Sequence, residues 1–251
     1  MPGDDAGRRS SVLDRIGRSW SGAFLDVLLI VGSILIAFML DAWWDGRGRM
    51  HQEREALQAL AGELGDSRAE LDSVMAYNAR RVETTSYFLE LTESRIERLP
   101  LDSLGRATSA VFGGMTYDPS LGATEAIFSA GLDLVTDVEL RARIAAWPGM
   151  LQEIEADQAA MLTRWEKVSD AVVEAGLAVP FFQFSDYQED GPPDLAAARA
   201  FVRTMATDPR IRQRVAALGS SVGEVQEELA EVDRRLAALQ ASVARELEER
   251  S

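Results

Sequence analysis

Residues 24–44, FLDVLLIVGSILIAFMLDAWW, limit what this chain can fold into more than any other stretch. The uncharged interior runs from Val27 to Leu40, with an acid at each end, Asp26 and Asp41. A helix rises ~1.5 Å per residue and a bilayer core is ~30 Å thick, so about 20 residues are needed to cross it. Val27 to Leu40 alone is too short. Trp20 to Trp44 is long enough, with Trp20 at one interface and Trp43 and Trp44 at the other, the depth at which amphipathic rings settle. A transmembrane helix is therefore expected over 20–44. The lipid bilayer is the first expected partner, residues 1–19 form a basic amphipathic lead-in, and residues 45–251 form a domain outside the membrane.

Arg8, Arg9, Arg15 and Arg18 precede the apolar segment, as in a secretory n-region. No small-residue cleavage pattern follows it, so a retained signal anchor is expected. Those four arginines stand against Arg47, Arg49 and Arg54 just beyond the span. The balance favours a cytoplasmic N-terminus and an exported C-terminal domain, which in a bacterium means the inner membrane and the periplasm. Leu13, Ile16, Trp20 and Phe24 recur at helical spacing in the lead-in. Ser33 and Ala37, with Gly32 beside them, form a small-xxx-small pattern that lets two membrane helices approach closely. Asp26 and Asp41 are the candidate functional groups at the span, because a carboxylate in a membrane is costly unless neutralised or paired.

Charge excludes one class of partner. The formal net charge is −15, and six Asp balance six Arg in the first 50 residues, so the excess falls on residues 51–251. Such a domain repels nucleic acid and anionic headgroups. There is no cysteine, and His51 is the one histidine. Thiolate catalysis and disulfides are excluded, and any histidine triad or metal site would have to use His51. His51 lies among arginines and glutamates, where a solvated side chain is expected. No catalytic group, cofactor or metal site is expected, and the chain reads as non-enzymatic.

Beyond the span the pattern is helical. Leu57, Leu60, Leu64, Leu71 and Val74 keep a three-four spacing, and after Asn78 the register passes to Val82, Leu89 and Ile96. One long helix is expected over 47–99, continuing from the span and stopped by Leu99-Pro100. Turn signals follow at Gly113-Gly114 and Tyr117-Asp118-Pro119-Ser120. Ser120 is the expected N-cap of a short helix through Ala130, with Gly131 as its stop. Asp137 then caps a helix over 138–175. Pro148 within it removes one backbone hydrogen bond and crowds the Ile144 carbonyl, so a kink or a restart after Trp147 is expected.

Residues 177–194 break the pattern with Phe181, Phe182, Phe184 and Tyr187, a plug for the bundle end or a docking tip. Helices are expected over about 194–206 and 209–249, the second opened by Asp208-Pro209. Ile211, Val215, Leu218, Val222, Val225, Leu229, Val232, Leu236, Leu239 and Val243 alternate four and three. That spacing specifies a coiled-coil seam. Antiparallel pairing with the helix at 47–99 is favoured, since the two have similar lengths and both need cover; another subunit is the other partner the seam would accept. The fold expected is all-α, a transmembrane helix followed by an elongated antiparallel bundle.

The order IVGSILIAFMLDAWWDGR, then REALQALAGEL, then a Y-x-P segment and ATEAIFSAGLDLVTDVELRARIAAWPGML resembles a widespread family of bacterial single-pass membrane proteins known only as a domain of unknown function. Its members share a span ending near tryptophan and an SG-x-L-x-L-I-x-D-x-x-L-R block. Here the block is Ser129, Ala130, Gly131, Leu132, Leu134, Val135, Asp137, Leu140 and Arg141, with an alanine inserted and valine at 135. The resemblance covers most of residues 24–165 and implies membrane attachment and a helical fold, but no reaction. Physically the block reads as a structural corner. Gly131 ends one helix, Leu132 and Leu134 pack back, and Asp137 starts the next.

Three functions fit. The first is a membrane-anchored scaffold or interaction subunit, associating with itself or with another membrane protein. The second is a ligand-sensing bundle signalling through a membrane partner, with Trp147, Trp165, Tyr87 and Phe88 lining a cavity. The third is an ion-driven stator-like subunit, because Phe24-Leu25-Asp26-Val27-Leu28-Leu29 resembles the start of the membrane helix in biopolymer-transport stators, where the aspartate carries protons.

Overall fold

The computed structural model describes residues 10–177 and 195–249, with side chains from residue 29 onward. Every regular element among them is helical: α1 (Ser10–Leu89), α2 (Glu93–Ile96), α3 (Leu101–Thr108), α4 (Gly122–Ala130), α5 (Val138–Glu174), α6 (Leu195–Thr207) and α7 (Pro209–Glu249), with 3-10 turns at Ser109–Val111 and Leu132–Leu134. The expected all-α class holds. The chain divides into two units, Met1–Glu55 and Ala56–Ser251.

In the first unit, α1 carries an apolar window long enough to cross a membrane, with none of that window buried. His51 is exposed and lies 3.3 Å from Glu55, one turn on.

The second unit is built on residues 56–89 of α1 with α5 and α7. The contacts fix their directions. Gln240 Nε2 donates to the Leu64 carbonyl at 2.9 Å, Arg68 pairs with Asp233, and Arg212 Nη2 donates to the Leu89 carbonyl at 2.7 Å. Position falls along α7 as it rises along α1, so the pair is antiparallel. The same holds against α5, where Glu174 meets Arg210 at 3.7 Å and Arg164 meets Glu224 at 3.4 Å. The whole α7 seam, Ile211 to Val243, is buried between these neighbours, with no member more than 3% exposed. Each such side chain contributes on the order of 1.5–3 kcal/mol. The favoured intramolecular pairing is the one found, and no seam face remains for another subunit.

On α1 the buried stripe runs Leu57, Leu60, Leu64, Ser67, Leu71, Val74 and Asn78. The four-three alternation is thus continuous, with two polar residues in apolar phase. Beyond Asn78 the structure departs from expectation. Val82 and Leu89 are only partly buried, while Thr84, Thr85 and Phe88 turn inward. The cause is close approach of α7: a Cβ on Gly219 would lie 2.4 Å from Thr85 Cγ2. Small side chains face each other where a leucine would force the helices apart.

The helix expected over 47–99 ends at Leu89. Phe88 and Leu91 are both buried, so the chain turns inward there, and Thr92 is extended before α2. Arg212 replaces the lost helical partners by donating to Leu89 O and, at 3.3 Å, to Ala206 O at the end of α6. A cation on two helix C-termini satisfies free carbonyls and the dipole together. α6 closes this end of the bundle through an Arg203–Glu97 pair and an Arg199 hydrogen bond to Leu99 O at 3.2 Å.

α5 and α7 match the expected spans. Asp208 opens α7, accepting from the N–H groups of Arg210 at 2.8 Å and Ile211 at 3.3 Å. Helix α5 continues through Pro148 with no restart after Trp147. The buried Ile144, Trp147, Met150 and Ile154 hold both sides of the proline against the core.

Candidate functional site

The first candidate surface is the apolar part of α1. Phe38 is 67% exposed, Met39 72% and Trp44 68%. Trp43 and Trp44 meet edge to face at 5.9 Å, and the Arg47 guanidinium lies 5.5 Å over the Trp43 ring. Asp41 is exposed beside them. Ser33 turns its hydroxyl back to the Ile30 carbonyl at 2.8 Å, so it is locally satisfied. A Cβ on Gly32 would meet nothing within 4 Å. The small face of Gly32, Ser33 and Ala37 is therefore uncovered by any described residue. The side chains of Trp20 and Asp26 lie outside the described residues, as do Phe181, Phe182, Phe184 and Tyr187.

A second arrangement was not foreseen. The non-helical segment 113–121 is held by polar side chains of α1 and α5. Asn78 donates to the Met115 carbonyl at 3.0 Å and accepts from the Met115 N–H at 2.7 Å. Gln158 makes the same reciprocal pair with Tyr117. Glu70 accepts from the Asp118 N–H at 2.9 Å. Glu63 accepts from the Thr124 N–H at 3.2 Å and the Thr124 hydroxyl at 2.6 Å, and also from the Ala123 N–H. Glu63 thus takes the capping role expected of Ser120. Helix α4 starts at Gly122, and its N-cap position is Leu121, which has no side-chain oxygen to offer. A distant carboxylate satisfies the free amides and the dipole instead. Burial pushes the Tyr117 phenol well above its usual range.

The corner at 129–137 is structural. Gly131 stops α4 at φ 100°, a conformation that side-chain-bearing residues rarely adopt. Asp137 accepts from the Leu140 N–H at 2.6 Å and caps α5. Val135 is the fully buried member, while Leu132 and Leu134 are half-buried. Ser129 is exposed.

The third feature is a groove between α5 and α7 with a volume of 390 Å³. Arg143, Trp147 and Met150 come from α5, one turn apart on one face. Glu231, Arg234, Arg235 and Leu239 come from α7. Glu231 accepts from Arg234 and from Arg235. The Arg235 hydrogen bond, followed by that of Arg234, holds the Glu231 carboxyl below its usual range. Arg143 has its own partner in Glu139 at 2.6 Å. The buried Nε of Arg143 and the indole Nε1 of Trp147 have no acceptor among the described residues.

The four aromatics expected around one cavity do not converge. Trp147 lines this groove. Trp165 packs against Gly113, where a Cβ would lie 2.9 Å from its ring. Phe88 is core, and Tyr87 carries Arg95 and Arg106 on its ring. Among the described residues, no three acidic or histidine side chains are grouped to hold a metal ion.

Sequence reasoning missed Asn78 and Gln158, although each is polar at a position in phase with an apolar stripe. The groove arginines gave no such signal, since Arg143 and Arg235 sit at i,i+4 from glutamates like any solvated pair. The chain matches no family model, no curated protein and no solved structure.

Proposed function

We propose that this chain is a single-pass membrane protein of a bacterial inner membrane, with a cytoplasmic N-terminus and a periplasmic helical domain. It acts there as a non-enzymatic scaffold or interaction subunit. One observation carries the reading: the large apolar side chains of α1 between Leu29 and Trp44 are all exposed, from Ile34 at 49% to Met39 at 72%. Leaving such side chains in water costs roughly 1.5–3 kcal/mol each, so they require lipid or other membrane helices. The arginine balance supports the orientation, and the resemblance to bacterial single-pass proteins supports the compartment. Because the α7 seam is used inside the chain, association falls to the small face at Gly32, Ser33 and Ala37 or to the outer surface of the bundle.

The test is site-specific photo-crosslinking in native membranes followed by mass spectrometry, with probes at positions 32, 33, 37 and 220. Crosslinks from the span positions to a second copy or to another membrane protein are expected. Absence of any protein crosslink at all four positions, or a turnover activity intrinsic to the purified chain, would overturn the reading.

A further inference from the structure

We propose that the groove between α5 and α7 is a binding site for a small amphipathic monocarboxylate, a ligand with one negative charge and an apolar body. Three features meet there. The first is local charge. Three arginines line the groove, and Glu231 is the one carboxylate among its described lining residues, in a chain of net charge −15. Arg143 is matched by Glu139, but Arg234 and Arg235 share Glu231, which leaves one unit of positive charge unmatched. A monoanion completes the set. The planar fork of a guanidinium matches a carboxylate in two parallel hydrogen bonds, and both α7 arginines keep donors free for it.

The second feature is the surplus of donors. Arg143 Nε and Trp147 Nε1 have no acceptor among the described residues. Buried polar groups are normally paired, so this wall carries donors in excess of its acceptors. The third is the apolar floor. Trp147, Met150 and Leu239 are buried at 2%, 5% and 3% exposure, with Ala146 and Ala238 between them. Two alanines on facing helices leave the space that larger side chains would fill. The volume of 390 Å³ lies within the range of about 300–1,000 Å³ typical of small-molecule pockets. A fully polar anion would waste that floor, and a neutral apolar molecule would leave the charge unmatched. Pro148 adds a reason for the site's position. It has no N–H for the Ile144 carbonyl, so α5 is less tied along its axis beside Trp147.

This inference does not depend on what the membrane helix contacts. Its test uses the full chain in phosphatidylcholine nanodiscs, titrated calorimetrically with 2-naphthoate and, in parallel, with uncharged 2-naphthylmethanol; empty nanodiscs supply the blank. Saturable binding of one 2-naphthoate per chain is expected, at least about tenfold tighter than the alcohol. The double variant Arg234→Gln/Arg235→Gln should weaken 2-naphthoate about tenfold or more, as loss of a charge-assisted hydrogen bond implies. Both arginines are largely exposed, at 68% and 55%, so the fold tolerates the change. Ala238→Trp, with helicity and melting checked by circular dichroism, should abolish binding by filling the groove. No saturable binding above the blank, equal affinity for acid and alcohol, or unchanged affinity in the double variant would each overturn the proposal.

Discussion

Truncating Asn78 to alanine strips the Met115 N–H and C=O of both partners at a position with no exposure. Each unsatisfied buried group costs on the order of 1–3 kcal/mol. Asn78→Ala and Gln158→Ala are therefore each expected to destabilise the bundle by about 2–4 kcal/mol, read as a shift in the urea midpoint with unchanged slope. Asn78→Leu should do no better, because the apolar side chain fits the stripe but not the backbone facing it. Gly114 is subject to a second constraint at the same place. A Cβ there would lie 2.4 Å from Met161 Sδ and 2.9 Å from Asn78 Oδ1. Gly114→Ala is expected to cost about 1–3 kcal/mol through overpacking. At this scale the sequence was partly legible. Gly131, Asp137 and Asp208 act locally, and their roles follow from neighbours within three residues. Asn78, Gln158 and Glu63 act on segments 37 to 61 residues away, and no local pattern encodes such a partner.

Helix ends are where elements depart from their sequence pattern. The apolar period that carries α1 toward Ile96 does not distinguish a helix that continues from one that breaks and resumes as α2. What decides is Arg212, which serves the carbonyls of Leu89 and Ala206 from a third helix. Arg212→Ala is expected to cost about 1–3 kcal/mol and to raise hydrogen exchange in the last turns of α1 and α6 specifically. Pro148 makes the opposite point. Its effect on hydrogen bonding is local, but neighbours packed on both sides keep α5 intact. Pro148→Ala restores a bond to Ile144 O and is expected to stabilise the bundle by about 1–3 kcal/mol. At the start of α7, partial burial pushes the Asp208 carboxyl up. The Arg210 side chain and the N–H groups of Arg210 and Ile211 outweigh that and hold it below the usual aspartate range. A depressed carboxyl stabilises fully above its unfolded value and loses that stabilisation as pH falls through the folded one. The stability gap between wild type and Asp208→Asn should thus be constant near neutrality and shrink as pH falls below the usual aspartate range.

For the whole molecule, the all-α class and the long α5 and α7 were readable from periodicity, while the internal use of the seam was favoured from helix length and not from the seam itself. Apolar spacing reports which face is buried, but not how many neighbours cover it: α5, at 37 residues, also lies antiparallel to the 41-residue α7 beside α1. Periodicity does not report what fills the space between faces. The segment 113–121 threads between α1 and α5 on hydrogen bonds, and the α5–α7 groove exists because alanines face each other beside arginines. Neither leaves a repeat in the sequence. The uncovered apolar length of α1 is legible at every level, and the proposed role rests on it. The absence of cysteine makes that length directly testable, since single-cysteine variants carry no background thiol. Ser10→Cys and Ser220→Cys, in cells with a permeabilised outer membrane, would be exposed to a membrane-impermeant maleimide before and after lysis, with alkaline carbonate extraction alongside. The expected result is that the chain resists extraction, Ser220→Cys labels before lysis and Ser10→Cys labels only after it. Release of the chain by carbonate, or equal labelling of both sites before lysis, would contradict a membrane-spanning α1.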